Sequence, residues 1–365
     1  MMKNNKNSSA IKCLTSCLLL SSSVIVMAAT PVTTTQVSGY VKFDSIYNDE
    51  NDASGALREQ ALLTLNGDEA NDEEGDLYLS SYESRINFTS QTTGTPVGDL
   101  KAVIEGDFYS GPAQNVVNLR HAYFVQDKLT IGQTWSTFMD LASLAETADF
   151  GGPAGRIFTR QSLVRINLDM AGGEVDLAVE DPKNGVAEEQ DPTAPDLVAK
   201  FTRAYDFGHL STALLIQNLK YDDGTNSDSA VAFAGRLSGR VNVGSDNIKF
   251  ALISGQAMGG YLNFGDVQAA DFIEGKIELS EQTATRISYQ HLWSQSFRST
   301  IRYAITTSKL DGVDQGDFNS LHANVVYNLY KPVKFGAEII NAKKKQAGSE
   351  SLNLSRFHLF AKYNF

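Results

Sequence analysis

The chain ends on an alternating run. Phe357, Leu359, Ala361, Tyr363 and Phe365 occupy every second position from 357, and Arg356, His358, Lys362 and Asn364 lie between them. Successive side chains of a strand point to opposite faces, so one face of this segment is apolar and aromatic-tipped while the other is polar. That is the pattern of a strand with lipid on one side and water on the other, and a terminal strand closing on an aromatic residue predicts an outer-membrane β-barrel.

The remainder of the chain narrows the choice further. Beyond residue 28 no run of about eighteen apolar residues occurs, which excludes a helical span. A sheet in lipid must then be closed, because open edges leave backbone groups unsatisfied. Period-two alternation marks sixteen candidate strands: 37–47, 77–89, 99–110, 117–127, 128–135, 162–170, 174–181, 196–205, 208–221, 230–243, 246–256, 283–293, 297–308, 318–329, 333–342 and 351–365. An even number places both termini on the periplasmic side. A further alternating piece, 271–280, would make seventeen, so it is read as an extension of the preceding extracellular loop. Tight links such as Ala171-Gly172-Gly173, Gly244-Ser245 and Tyr330-Lys331-Pro332 alternate with long polar ones, as periplasmic turns alternate with extracellular loops. The expected fold is therefore all-β, a transmembrane antiparallel up-and-down β-barrel of about 16 strands.

Lys3, Lys6 and Lys12 precede an apolar stretch from Cys13 to Met27, and Ala28 and Ala29 follow. This reads as a secretory signal, residues 1–28, cleaved after Ala28 or Ala29, ahead of a barrel domain at 29–365. Cys17 lies in a context that faintly resembles a lipoprotein site, but too little apolar sequence precedes it. Both cysteines fall in the leader, so neither disulfides nor thiol chemistry enters the mature chain. The whole chain carries a net charge of −12, and loss of three leader lysines takes it to about −15, which excludes nucleic acid as a partner. The first long loop, 48–76, holds ten acidic residues and one arginine. It reads as a solvated loop, with a cation-bridged lipopolysaccharide contact as the alternative; no regular calcium-ligand spacing occurs in it.

Several strands have one unambiguous face. Val231, Phe233, Leu237, Val241 and Val243 set Arg236 and Arg240 inward; Phe297, Ile301, Tyr303 and Ile305 do the same for Arg298 and Arg302. Arg165 and Arg286 follow from their neighbours, Arg85 and Arg120 less cleanly. An arginine facing lipid at mid-depth costs about 2–4 kcal/mol, so alternation assigns these groups to the bore. Guanidinium groups there favour anions and can grip a carboxylate through two hydrogen bonds. The alternative is that they pair with the inward acids Glu105, Asp107, Glu174, Asp176 and Glu338, giving a weakly selective pore.

Between Trp135 and Ser162 lies a mixed polar and aromatic loop, the third long one, containing Asp140, Glu146, Asp149, Arg156 and Arg160. A sixteen-stranded barrel encloses a water channel that a loop folded inward would narrow. Here the chain resembles the DcaP-like family of Gram-negative outer-membrane porins. The resemblance rests on Gly39-Tyr40-Val41-Lys42-Phe43-Asp44, Arg120-His121-Ala122-Tyr123, the run from Gly132 to Asp140 (Gly-Gln-Thr-Trp-Ser-Thr-Phe-Met-Asp), the segment 146–155, and Arg160-Gln161 leading to Arg165. It is close over the first half and mostly barrel pattern in the second. It implies a homotrimeric sixteen-stranded channel passing small dicarboxylates and similar anions, with Arg120, Arg160 and Arg165 matching the family's arginine-bearing pieces. Some members carry a coiled-coil segment before the first strand; only about ten residues stand there in this sequence, so that role is not carried over.

No histidine pair has metal-ligand spacing and no Gly-x-Ser-x-Gly elbow occurs, so neither a metal site nor a hydrolase is indicated. His291, beside Trp293, reads as an interfacial girdle residue. The sequence thus predicts a cofactor-free outer-membrane diffusion channel for small anionic solutes. Its site residues are expected to be Arg120, Arg160, Arg165, Arg236, Arg240, Arg286, Arg298, Arg302, Asp140, Glu146 and Asp149, lining the pore or its constriction. A general porin, or a structural or adhesive barrel whose loops bind lipopolysaccharide or other surfaces, stands as the alternative.

Overall fold

In the computed structural model, residues 30–51, 75–109, 116–152, 154–182, 186, 194–262, 269–345 and 351–365 are described. The leader and nearly all of the acidic first loop lie outside them. The strands are β1 (Val32–Asn51), β2 (Asp76–Ser80), β3 (Arg85–Thr93), β4 (Leu100–Asp107), β5 (Asn118–Gln126), β6 (Leu129–Trp135), β7 (Arg160–Met170), β8 (Gly173–Glu180), β9 (Asp196–Tyr205), β10 (Gly208–Asp222), β11 (Ser227–Val243), β12 (Asp246–Gln256), β13 (Ala270–Ile273), β14 (Lys276–Leu279), β15 (Glu281–Leu292), β16 (Phe297–Leu310), β17 (Val313–Tyr330), β18 (Val333–Lys345) and β19 (Leu352–Asn364).

Sixteen antiparallel staves close into a barrel. The second stave is split: β2 and β3 both pair with β1, and a turn at 81–84 interrupts what the sequence reads as one strand. Closure comes from β1 against β19, where Gly39 and Phe365 exchange both backbone hydrogen bonds at 3.1 Å. The extra alternating piece is a separate hairpin, β13 with β14, outside the barrel sheet and within the link from β12 to β15. One expected loop is absent as such: β16 and β17 run on to a two-residue turn, Asp311 and Gly312, with φ of 49° and 72°. Asp-Gly is the strongest short hairpin signal, and positive φ at both positions fits the right-handed twist of the flanking strands.

The exposure pattern is inverted relative to a water-soluble protein. Val41 and Phe43 are 55% and 46% exposed, while Lys42 and Asp44 between them are 4% and 1% exposed. Phe233, Leu237, Ile301 and Tyr303 likewise face outward. At the turn end an aromatic girdle stacks Tyr205 on Phe207 and sets the His291 ring edge-on to Trp293. Lipid is the only solvent in which that outer surface is favourable.

The hydrophobic core lies inside the bore. Phe138, Met139, Ala154 and Ile157 of the third loop (136–159) pack against Leu215, Ile253, Phe318, Ile340 and Leu354 on the inner wall. Met258, Tyr261 and Leu262, from the link between β12 and β15, join the same cluster. That link thus also folds inward at its start, and Phe158 N donates to Tyr261 O at 3.1 Å. Gly155, at φ 67°, lets the loop lie flat on β15 and β16, because a Cβ there would meet Thr306 Oγ1 at 2.9 Å and Ala284 Cβ at 3.1 Å.

Candidate pore constriction

The third loop sweeps along the inner wall from β10 to β19, held by wall groups that bond its backbone and its acids. Arg236 Nε donates to Phe138 O at 2.7 Å, and Lys249 Nζ to Leu144 O at 2.7 Å. Arg286 Nη2 donates to Ser143 Oγ at 2.9 Å, and Asn324 Nδ2 to Glu146 O at 2.8 Å. Glu338 accepts from the backbone N–H groups of Ala148 and Asp149 at 3.0 and 3.3 Å, and also bonds His322 and Asn324. These contacts satisfy loop backbone groups that water would otherwise have to reach.

The loop acids face that same wall. Asp140 accepts from Ser238 Oγ at 2.6 Å, shares a hydrogen bond with His209 at 3.1 Å, and caps the short 3-10 turn Leu141–Ser143 through Ala142 N. Burial opposes its ionisation, but the Ser238 and His209 bonds and nearby Arg236 outweigh that and hold its carboxyl below the usual carboxylate range. Glu146 takes both oxygens to Arg298, each at 2.6 Å. Asp149 lies 3.3 Å from Arg356 Nη1.

All the arginines assigned inward by alternation do point into the bore, yet the loop sorts them. Arg236, Arg286 and Arg302 are 2%, 8% and 2% exposed, sealed between loop and wall, and Arg298 is half-buried on Glu146. Arg240 is half-buried nearer the turn end. The expectation that these five line open water gives way to a picture in which the covering loop takes up the groups beneath it. Alternation reads the face a side chain occupies and carries no information on what is laid over that face.

The open side of the bore is the wall from β1 to β9. Toward the turn end a cavity of about 760 Å³ holds Arg165, Asn167, Asp176 and Lys200. A narrower one of about 320 Å³ lies between the third loop and the wall. Trp135 and Met139 line both, so the two meet there. The narrow space carries Lys42, Arg85, Arg120, Arg156, Lys334 and Lys362 against Glu83, Glu146 and Asp149. Among the described residues Lys334 and Lys362 make no ion pair; Lys362 Nζ sits 3.3 Å from the centre of the Tyr40 ring.

Arg120 reaches the bore through a bulge. Glu105 pairs with His121 and Gly106 with Leu119, so Arg120 is the extra residue and points inward beside His121. Its Nη1 bonds Asp107 at 2.6 Å and its Nε bonds Glu105 at 3.0 Å. The guanidinium lies 5.7 Å from both the Trp135 and Phe150 rings. Arg160 lies 4.7 Å from the Trp135 ring, and Arg156 3.5 Å from the Phe158 ring. The result is a row of alternating rings and cations, Phe150, Arg120, Trp135, Arg160, Phe158 and Arg156, of which all but Arg160 line the narrow space. Arg85 and Arg120 are among the charges that act on Arg160, while Glu105 and Asp107 are the acids nearby. The sequence reading had the arginines but missed the interleaved rings and the lysines at 42, 334 and 362. Strand parity of Lys334 beside Phe335, and of Lys362 between Ala361 and Tyr363, was the available signal.

Among the described residues no group of three or more His, Cys, Asp and Glu side chains is placed to hold a metal ion.

Comparison with known proteins places this geometry. A family model described as DcaP outer membrane protein matches residues 3–365. Among solved structures the chain is similar to the outer membrane channel DcaP of Acinetobacter baumannii, at 21% identity and a TM-score of 0.78, covering 91% of this chain and 97% of that one. It is similar to the trimer form of in-vitro folded OmpT of Vibrio cholerae (13% identity, TM-score 0.62, 91% and 99% covered). It is also similar to an anion-selective porin from Comamonas acidovorans (11% identity, TM-score 0.59, 92% and 100% covered). At these identities the likenesses establish a shared fold. A search of the curated proteins found no match.

Proposed function

Because the chain belongs to the DcaP outer membrane protein family and is an outer-membrane channel rather than an enzyme, we propose that it passes small anions by passive diffusion and favours dicarboxylates. One observation carries this reading: the narrow space between third loop and open wall has six cationic side chains against three carboxylates, although the whole chain is acidic. A positive lining in a low-dielectric constriction lowers the barrier for anions and raises it for cations.

The row from Phe150 to Arg156 supports the preference for dicarboxylates. A diacid presents two charged ends separated by an apolar spacer, which matches guanidinium groups separated by aromatic rings. Each carboxylate meets planar donors at Arg85, Arg120 or Arg160, and the spacer slides over Trp135. Partial neutralisation of Arg85 and Arg120 by Glu105 and Asp107 keeps the grip weak enough for release. Arg165, beyond the constriction, offers the next contact toward the turn end.

The same reading includes export directed by residues 1–28, outer-membrane lipid against the apolar belt, lipopolysaccharide at the loop end, and assembly as a homotrimer. The trimer form of the similar OmpT structure supports the last of these. Reversal potentials of the purified channel in planar bilayers under a salt gradient test the selectivity: anion preference is expected, and cation preference would refute it. Liposome swelling should rank small diacids above neutral sugars of similar size. Absence of conductance in both assays would favour a structural barrel instead.

A further inference from the structure

The covered arc of the bore holds more positive charge than the loop above it neutralises. Beneath residues 138–146 stand Arg236 and Arg240 on β11, Lys249 on β12, Arg286 on β15, and Arg298 and Arg302 on β16; among the described residues the loop offers them Asp140 and Glu146. Glu146 is taken up by Arg298 through two bonds. Asp140 is engaged by Ser238 and His209 and lies 3.7 Å from Arg236. That leaves Arg240, Lys249 and Arg286 as neighbours. Arg240 lies directly opposite Lys249, Lys249 directly opposite Ser288, and Arg286 is two residues before Ser288 on the same strand face. The charges close enough to act on Lys249 are Arg240 and Arg286 on one side and the already engaged Glu146 and Asp140 on the other. Like charges directly opposite on adjacent strands are destabilising, and here three of them converge.

Their hydrogen bonds are equally incomplete. Arg286 is 8% exposed, yet only its Nη2 is bonded, to Ser143; its Nε and Nη1 have no partner. Arg240 Nε is also buried without one, and Lys249 spends a single N–H on Leu144 O. Water would satisfy the donors but leave the charge, and an unpaired buried cation is far more costly than a paired one. A compact anion answers both needs at once.

We propose that Arg240, Lys249 and Arg286 form a fixed anion-binding site between the turn-end face of the third loop and the wall of β11, β12 and β15. It takes a compact, singly charged anionic group, such as a halide or one carboxylate of a solute. Half-buried Arg240 and Lys249 form its mouth, and Arg286 closes its inner end. The site goes beyond the permeation reading and is separate from the open-wall row, because it lies under the loop and does not require net flux.

Crystals of the purified channel grown with bromide in place of chloride test it. Anomalous scattering is expected to show a bromide within hydrogen-bond reach of Arg286 Nε and of Lys249 Nζ. Adding succinate distinguishes the occupants: displacement of bromide identifies a carboxylate site, and retention identifies a halide site. Arg240→Gln, at the half-buried mouth, should weaken bromide binding about tenfold without unfolding the barrel, and Arg286→Gln should abolish it. No bromide at these three residues in the native channel, or undiminished occupancy in Arg240→Gln, would overturn the assignment. Neither result bears on the reversal potential, so failure here leaves the permeation reading to its own test.

Discussion

Two arcs of the same inner wall use the same residue type for different ends. From β10 to β19 the lumenal arginines meet a peptide laid over them, and Arg236, Arg286 and Arg298 hold it by its carbonyl, hydroxyl and carboxylate oxygens. From β3 to β7 the loop lays rings rather than backbone against the arginines: Arg85 and Arg120 line the narrow space, Arg120 being 2% exposed on Glu105, Asp107 and Phe150, and Arg160 packs between Trp135 and Phe158. Strand parity settles inside versus outside wherever a strand is regular. The loop then decides whether a cation is architectural or available, and the division leaves the passage off-centre, against the β1–β9 side.

The largest expected effect comes from cutting the loop loose on the covered arc. Glu338→Ala removes the acceptor for Ala148 N and Asp149 N and one partner each of His322 and Asn324, so it should cost about 3–5 kcal/mol of stability. Single-channel conductance should rise as the loop lifts; an unchanged conductance would mean the loop is held elsewhere. Next, Ile301→Arg places a charge on the lipid side of the strand that carries Arg302 inward, and should cost about 2–4 kcal/mol in urea unfolding from bilayers. Wild-type stability in that variant would contradict the outer belt.

Smaller in stability but sharper for the comparison, Arg160→Ala on the open arc should lower diacid flux about tenfold while sugar flux holds or rises. Arg298→Ala on the covered arc should instead raise sugar flux, because it frees Glu146. Equal responses from the two, read by liposome swelling, would erase the distinction between arcs. Least of all is the effect of acid. Burial works against ionisation of Glu146, but Arg298 outweighs it and holds the carboxyl below its ordinary value near 4.5. The Glu146–Arg298 contribution is therefore fully present above that value and lost only as pH falls through the lower folded-state value, so conductance should stay level from pH 7 down to about 5.

Much of this was legible in the chain. Phe357 to Phe365, and Val231 to Val243, announce their two faces by spacing alone, and residues 271–280 were separable from the barrel by the even-strand requirement. The fold needs little more than period two, because one solvent on each side enforces it at every position. What stayed hidden depends on contacts between distant segments. The break at 81–84 shows in the alternation of 77–89 only as a change of parity, Leu77 and Leu79 facing out before it and Ile86 and Phe88 after it. Arg120 breaks the alternation that places Arg236, and only pairing with β4 reveals the extra residue. His209, His322 and His358 look scattered in sequence, yet each bonds a carboxylate inside the bore, to Asp140, Glu338 and Asp44. No local pattern could foretell those partners, which are 69, 16 and 314 residues away.

The one-residue insertion on β5 has a consequence for how such a channel can be tuned. In a regular strand, adjacent side chains are committed to opposite media, so the density of groups along one inner row is capped by the pleat. An added residue lifts that cap locally and seats Arg120 next to His121. Excising it would leave Leu119 facing the hydrocarbon directly before inward His121, with Asn118 still inward, so the regular pleat would return and only the added cation would be lost. A residue added as a bulge is thus a single genetic event that gives an inner row one more group without turning its neighbours over.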